Sequence, residues 1–535
     1  MVKRRATLLA LSLPPYLWLC LFLIVPLILI LALSLRADMQ GGVFSLWTPS
    51  LHQYKTIFAI HEYWHRLGFS IAVAFVVAVL AVALAYPVAY FLVFHAGRAA
   101  GLCLFLLLIP FLTSFLLRVM AWRMLLDASP LLYTRSALLI TLTYVWIPFA
   151  ALPIAAALQR IDPELVEAAL DLGASPWRCF RTITFPLSLP GVLAAFFMVF
   201  IPTVGEYVTP ELVGGPYGRM YGNTIELWGG RVETFPRGAA MSMVMLVVTL
   251  LLVALAARLV NLKAVRMTQT RIAISARGRL PLLTAYFAGL IALLYLPLVV
   301  LFLRSLEAKT GLDLTLRAYG QLLDDSEALR SIGNSLVVAV VSSCGATALG
   351  TALALLHMRF SFRGDKLLFA LAMFPLVVPA IVLAVALLVM FHGAGIDRSL
   401  WTIAIAHTVV ALPYVVLIIS ARLSGFDSEL EEAAMDLGAP YGRVIFNVVL
   451  PIIAPSILAA WLVAFTVSFD EVAIAYILKG SEHTFPIYLL EQMRPRYRER
   501  LPMNIALVVS MMVVTLLLAL TAERIRRSGQ PSTVR

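Results

Sequence analysis

The chain alternates long apolar runs with short polar joints. The runs lie at roughly 8–35, 67–94, 101–126, 137–158, 187–212 and 238–257, then at roughly 280–303, 332–357, 367–391, 400–421, 452–478 and 502–522. Each reaches about 20 residues, the length that crosses the hydrocarbon core of a bilayer as a helix. The pattern predicts an all-α polytopic membrane protein of about twelve transmembrane helices in two sets of six. A polar island follows the fourth run of each set: Glu167-Ala168-Ala169-Leu170-Asp171-Leu172-Gly173-Ala174, and again Glu432-Ala433-Ala434-Met435-Asp436-Leu437-Gly438-Ala439.

The second island lies 265 residues beyond the first, Glu432 against Glu167, and the same offset holds widely. It sets Tyr54 against Tyr319, Ser70 against Ser335, Pro110 against Pro375, Pro148 against Pro413 and Asp162 against Asp427. Further on, Pro186 meets Pro451, Pro190 meets Pro455 and Glu206 meets Glu471, with no gap needed from about 54 to 215. An even number of spans per half gives both copies one orientation, so they are parallel repeats about an axis along the membrane normal. The expected division is a first unit over 1–260 with its polar helix near 163–173, a basic linker over 261–279, and a second unit over 280–535 with its polar helix near 428–438.

Composition supports the membrane reading: 61% of residues are hydrophobic, 13% are charged and the mean hydropathy is +0.94. Lys3-Arg4-Arg5 precedes the first run like a signal peptide, but that run is too long and lacks a small-residue cleavage site, so a retained helix is expected. The four cysteines, Cys20, Cys103, Cys179 and Cys344, are scattered and indicate no disulfide framework. A net charge of +12 raises the question of nucleic acid. With both termini inside, the charge falls on cytoplasmic joints instead. Arg258, Lys263, Arg266, Arg271, Arg277 and Arg279 lie in or beside the linker, and Arg359, Arg363 and Lys366 sit in a short loop. Arg494, Arg496, Arg498 and Arg500 fall on the outer side of this topology and oppose it.

Each island reads as a short amphipathic helix. Asp162-Pro163-Glu164 is a helix start with cap, first-turn proline and acid at the positive end. Asp427-Ser428-Glu429 repeats it without the proline, and Gly173 and Gly438 stand where a left-handed residue ends a helix. Ser175-Pro176 caps a second short helix. The alanine pairs leave a face without bulk. A helix lying on headgroups is the plainer alternative, but the excess of acid over base would be repelled by anionic lipid.

The spacing Glu-Ala-Ala, three residues, Gly, nine residues, Ile-x-Leu-Pro resembles the signature loop of bacterial ABC importer permeases. The first copy has Glu167-Ala168-Ala169, Gly173, Ile183 and Phe185-Pro186; the second has Glu432-Ala433-Ala434, Gly438, Val448 and Leu450-Pro451. The resemblance covers essentially the whole chain as two fused permease units of a type I importer. It implies that each loop is a coupling helix set into a groove on one of two cytoplasmic ATPase subunits, with a periplasmic solute-binding protein above. Within that family, Gly205 through Gly215 and Arg118 with Ala121-Trp122 resemble the first permease of spermidine/putrescine importers. Ser468-Phe469-Asp470-Glu471 resembles the second. Importers of opines, aminophosphonates and ferric ion have similar segments.

Glu206, Asp470 and Glu471 fall inside the fifth run of each half. A carboxylate there costs roughly 2.5–3.5 kcal/mol unless it lines a cavity or has a partner. They are candidates for a pathway that offers negative charge to a cation, against a structural pairing with Arg118 or Arg123. His61-Glu62-Tyr63-Trp64-His65 has the HExxH spacing, but its repeat equivalent Ser326-Glu327-Ala328-Leu329-Arg330 keeps only the acid. An amphipathic stretch on an external loop is the better reading, and no metal site is expected. No G-x-x-x-x-G-K-[ST] occurs in the chain, so ATP would be bound by partner subunits and the permease needs no cofactor of its own. A twelve-helix transporter driven by an ion gradient fits the span count equally, but leaves the doubled polar helix unexplained.

Overall fold

A computed structural model describes residues 2–39, 43, 49–127, 129–261, 281–306, 315–360, 362, 364–492 and 501–528. The linker cations from Lys263 to Arg279, Arg363, and the Arg494–Arg500 cluster lie outside the described residues. Among the described residues every regular element is a helix. Those of the first repeat are α1 (Leu11–Ser34), α2 (His61–Phe94), a bent α3 (Gly97–Pro110 and Phe115–Asp127), α4 (Arg135–Leu158), the short α5 (Pro163–Asp171), α6 (Phe185–Val204) and α7 (Phe235–Asn261). The second repeat supplies α8 (Pro281–Ser305), α9 (Ser326–Arg359), a bent α10 (Asp365–Leu376 and Ala380–Gly393), α11 (Leu400–Ser424), the short α12 (Glu429–Asp436), α13 (Leu450–Asp470) and α14 (Leu501–Ser528). Nine helices among the described residues are long and apolar enough to cross a bilayer unbroken, and α3 and α10 add two bent spans. In α14 the apolar stretch is shorter, Pro502–Val514.

The third span of each half is not one rod. The two parts of α10 meet at 105° and those of α3 at 75°. Pro375 and Pro110 stand at these breaks, where a missing N–H interrupts the ladder. Pro87, Pro148, Pro153 and Pro413 remain inside continuous helices. Neighbouring helices satisfy the freed carbonyls in such places.

Residue contacts gather into two compact units that cut across the repeat boundary. One unit comprises Met1–Thr56, Ile225–Met243 and Thr315–Arg535; the other comprises Ile57–Thr224 and Val244–Leu314. In the first unit α1 lies against α9 and the second arm of α10, and the Tyr16 hydroxyl donates to the Gly364 carbonyl at 3.4 Å. In the second, α8 lies against α2 and both arms of α3. Three tyrosine hydroxyls fix it: Tyr144 donates to Leu294 O at 2.7 Å, Tyr286 to Leu84 O at 2.9 Å and Tyr295 to Leu106 O at 3.1 Å. Phe287 stacks on Phe91. The opening span of each repeat thus packs on helices of the other repeat.

Within each unit small residues let helices approach closely at particular crossings, because lipid tails leave little hydrophobic drive between helices. In α9 the small residues Ser342, Ala346, Gly350 and Ala354 form a buried stripe. A methyl on Gly350 would stand 2.7 Å from Val415 of α11. In α6 a methyl on Gly191 would stand 2.3 Å from Ala157 Cβ and 2.7 Å from Pro153 O of α4. Ser70 and Ser335, one turn into the apolar part of α2 and α9, accept from Tyr221 N at 2.8 Å and Phe485 N at 2.7 Å. Both pin the segment that follows the fifth span. G191A should lower stability by about 1–3 kcal/mol through overpacking against backbone. G68A, with open space around it inside the helix His61–Phe94, should leave the melting temperature in detergent unchanged or slightly raised.

Candidate functional site

The polar helices form as the sequence predicts. Asp162 accepts from Glu164 N at 3.0 Å and Asp427 from Glu429 N at 3.0 Å, so each aspartate closes its helix start. Gly173 at φ +82° and Gly438 at φ +85° end them. Gly173 N bonds Leu170 O at 2.9 Å and Ala174 N bonds Ala169 O at 3.0 Å; Gly438 N bonds Met435 O at 2.9 Å and Ala439 N bonds Ala434 O at 3.1 Å. These are the paired bonds of a left-handed helix stop. Ser175 accepts from Arg178 N at 3.3 Å and starts the next short helix. That helix passes through one π turn, Phe180–Thr184, into α6, and the second copy does the same through Ile445–Val449 into α13.

The two copies present the same surface. Glu167 and Ala168 are exposed and Ala169 is half-buried; Glu432, Ala433 and Ala434 follow suit. Sequence reasoning missed the apolar members of this face. Leu172 is 89% exposed and its repeat equivalent Leu437 is 90% exposed, while Leu165 and Leu430 are also exposed. The spacing from Leu165 through Ala168 to Leu172 puts them along one side of the helix. An apolar residue repeated at the last position before each helix-ending glycine was the available signal.

The membrane acids stand differently from the expectation of unbroken fifth spans over 187–212 and 452–478. The helices end at Val204 and Asp470, and the acids sit at the breaks. Glu206 Oε1 accepts from three successive amides, Tyr207 N at 3.1 Å, Val208 N at 2.9 Å and Thr209 N at 3.1 Å. Glu471 accepts from Ile474 N at 2.9 Å and Ala475 N at 3.0 Å, heading the helix Ala473–Leu478. Each carboxylate takes over amides that a continuing helix would have paired. His407 Nε2 also lies 3.2 Å from Glu471 Oε2, and His407 Nδ1 meets Ser468 Oγ at 2.8 Å. His407 was not singled out from sequence; a histidine in mid-span whose equivalent is Leu142 was the signal. Arg118 is buried and its Nη1 donates to Val145 O at 3.2 Å, while Arg123 donates to the Tyr133 hydroxyl. Glu62 of the HExxH segment is held by Arg66 one turn on.

A doubled set of bent and straight apolar spans, with one capped polar helix per half between the fourth and fifth, defines a multi-pass permease of two fused units. The chain belongs to the family of binding-protein-dependent transport system inner membrane components, whose profile matches residues 4–269 and 346–529. The spermidine/putrescine transport system permease protein PotC of Escherichia coli is 30% identical over 255 residues, 47% of this chain and 95% of that protein. The putrescine transport system permease protein PotI of Escherichia coli is 36% identical over 213 residues, 38% of this chain and 76% of that protein. A Sinorhizobium fredii protein named as a probable ABC transporter permease, y4fN, is 24% identical over 422 residues, 73% of this chain and 72% of that protein. The chain is therefore an inner-membrane ABC transporter permease, a subunit of a class that works with ATPase and solute-binding partners.

The cap geometry makes a separable prediction. E206A strands three buried amides, each unsatisfied one costing about 1–3 kcal/mol, and should lower stability by several kcal/mol. E206Q keeps one carbonyl acceptor and should melt within a degree or two of the native chain in the same detergent.

Proposed function

We propose that this chain is the translocation subunit of an ATP-driven importer that moves a small cationic, polyamine-like solute from periplasm to cytoplasm by alternating access. The observation that carries the reading is the pair of equivalent handles: α5 and α12 share caps, stops, acids and the exposed Leu172 and Leu437. Leu165 with Leu172, and Leu430 with Leu437, give each handle an exposed apolar strip of the kind a partner covers. Two handles fit two ATPase subunits, one per half, which bind the ATP for which this chain has no phosphate loop. A periplasmic binding protein delivers the solute. Both termini lie in the cytoplasm, on the side of Arg258 and the basic linker.

Charge and the relatives support the substrate class. Glu206, Asp470 and Glu471 place carboxylates beside the ends of the fifth spans, and the named relatives are spermidine/putrescine and putrescine permeases. Arg118 is assigned to the same pathway.

Two experiments test these statements. Replacing Leu172 and Leu437 by Asp, or Glu167 and Glu432 by Ala, should reduce co-purification of the ATPase at least tenfold with no change in melting temperature. Undiminished recovery sinks the docking assignment. For the substrate, spermidine uptake by the complex in proteoliposomes should show a several-fold higher KM in E206Q, whose cap is intact. Wild-type kinetics remove Glu206 from the pathway, and uptake of an aminophosphonate, opine or ferric ion in place of spermidine removes the polyamine.

A further inference from the structure

The two polar helices share their caps and exposed face but are anchored by different chemistry. At the end of α9, Arg359 Nε lies 2.8 Å from Glu431 Oε1 in the first turn of α12, with side chains 14% and 7% exposed. The guanidinium carbon sits 5.1 Å from the centroid of the Phe426 ring, which closes one side of the pair. Phe360, next in the chain, packs edge-on against Tyr441 just beyond α12. Stepping back 265 residues replaces Arg359, Glu431 and Phe426 by Phe94, Val166 and Ile161, all apolar. There the segment after α5 is held by rings instead: Phe180 meets Tyr86, Tyr90 and Trp177.

These anchors resist motion differently. Apolar contacts are non-directional, so the rings around Phe180 have no charge to strand when they shift. A buried charge that leaves its partner is left uncompensated in a medium of low polarity, so separating the pair is costly. We propose that Arg359 and Glu431 are positioning residues that make α12 and the end of α9 move as one body. The second half then transmits a pull on its polar helix through a charge pair that the first half lacks. The transmission rests on the ATPase docking proposed above; the anchoring does not.

Amide hydrogen exchange of the full chain in nanodiscs, alone and with its ATPase, separates the two. In E431Q and R359Q, exchange over 429–436 should rise at least tenfold, while 163–171 stays within twofold of native. R359F/E431V, which installs the first half's apolar pair, should keep the melting temperature yet exchange over 429–436 as fast as α5 does. With the ATPase bound, adding ATP should change exchange over 429–436 and over 353–359 together in the native chain. In E431Q it should change the former alone. Native protection of 429–436 in E431Q, or native exchange in R359F/E431V, overturns the anchor. An ATP response at 353–359 that survives E431Q overturns the transmission, as does a native chain that binds no ATPase; in that last case the docking reading falls too, and the exchange of the isolated chain still decides the anchor.

Discussion

In hydrocarbon every backbone amide needs a partner, because no water is available to take its place. This constraint explains where the chain places its acids. A span that stops inside the protein exposes the amides of the next residues, and at the fifth span of each half one glutamate collects them. Glu206 gathers three successive amides through a single oxygen, and Glu471 gathers two at the head of a short helix. These bonds offset part of the carboxylate's desolvation cost, and the carboxylate in turn satisfies the amides of the broken span. The turning segments that follow are then pinned by Ser70 and Ser335 to the second helix of each half.

The same logic runs through the polar helices. Each is too short to persist alone, so its start is closed by an aspartate, its end by a left-handed glycine, and its exit by a π turn into the next span. What is left over is an exposed strip with a leucine at its tip. Duplication supplied two such strips, and the surroundings of each were then filled with different side chains. Rings surround Phe180 in one half, and an ion pair under Phe426 holds the other.

Much of this was legible from residues alone. The caps at Asp162 and Asp427 and the stops at Gly173 and Gly438 depend on neighbours within one turn, so local chemistry was enough to predict them. The span breaks were not legible. Pro110 and Pro375 sit at breaks while Pro148 and Pro413 sit in unbroken helices, although all four are prolines in apolar runs. Proline chemistry is the same at all four positions, so the difference lies in the packing around each. Glu206 looked like a charge within a span because a carboxylate becomes a cap only when the backbone after it turns. His407 and Leu172 escaped notice for the converse reason: one has its partners far along the chain, and the other stands out only by its exposure.

The sequence by itself determined that the chain is a doubled set of membrane spans with one polar helix per half, since span length, offset and capping are all read along the chain. Only the tertiary structure decided that the opening span of each repeat packs on the other repeat, that the fifth spans end at their acids, and that the two polar helices are anchored by unlike chemistry. Those outcomes depend on contacts between residues hundreds of positions apart, where a 265-residue repeat predicts sameness and packing is free to depart from it.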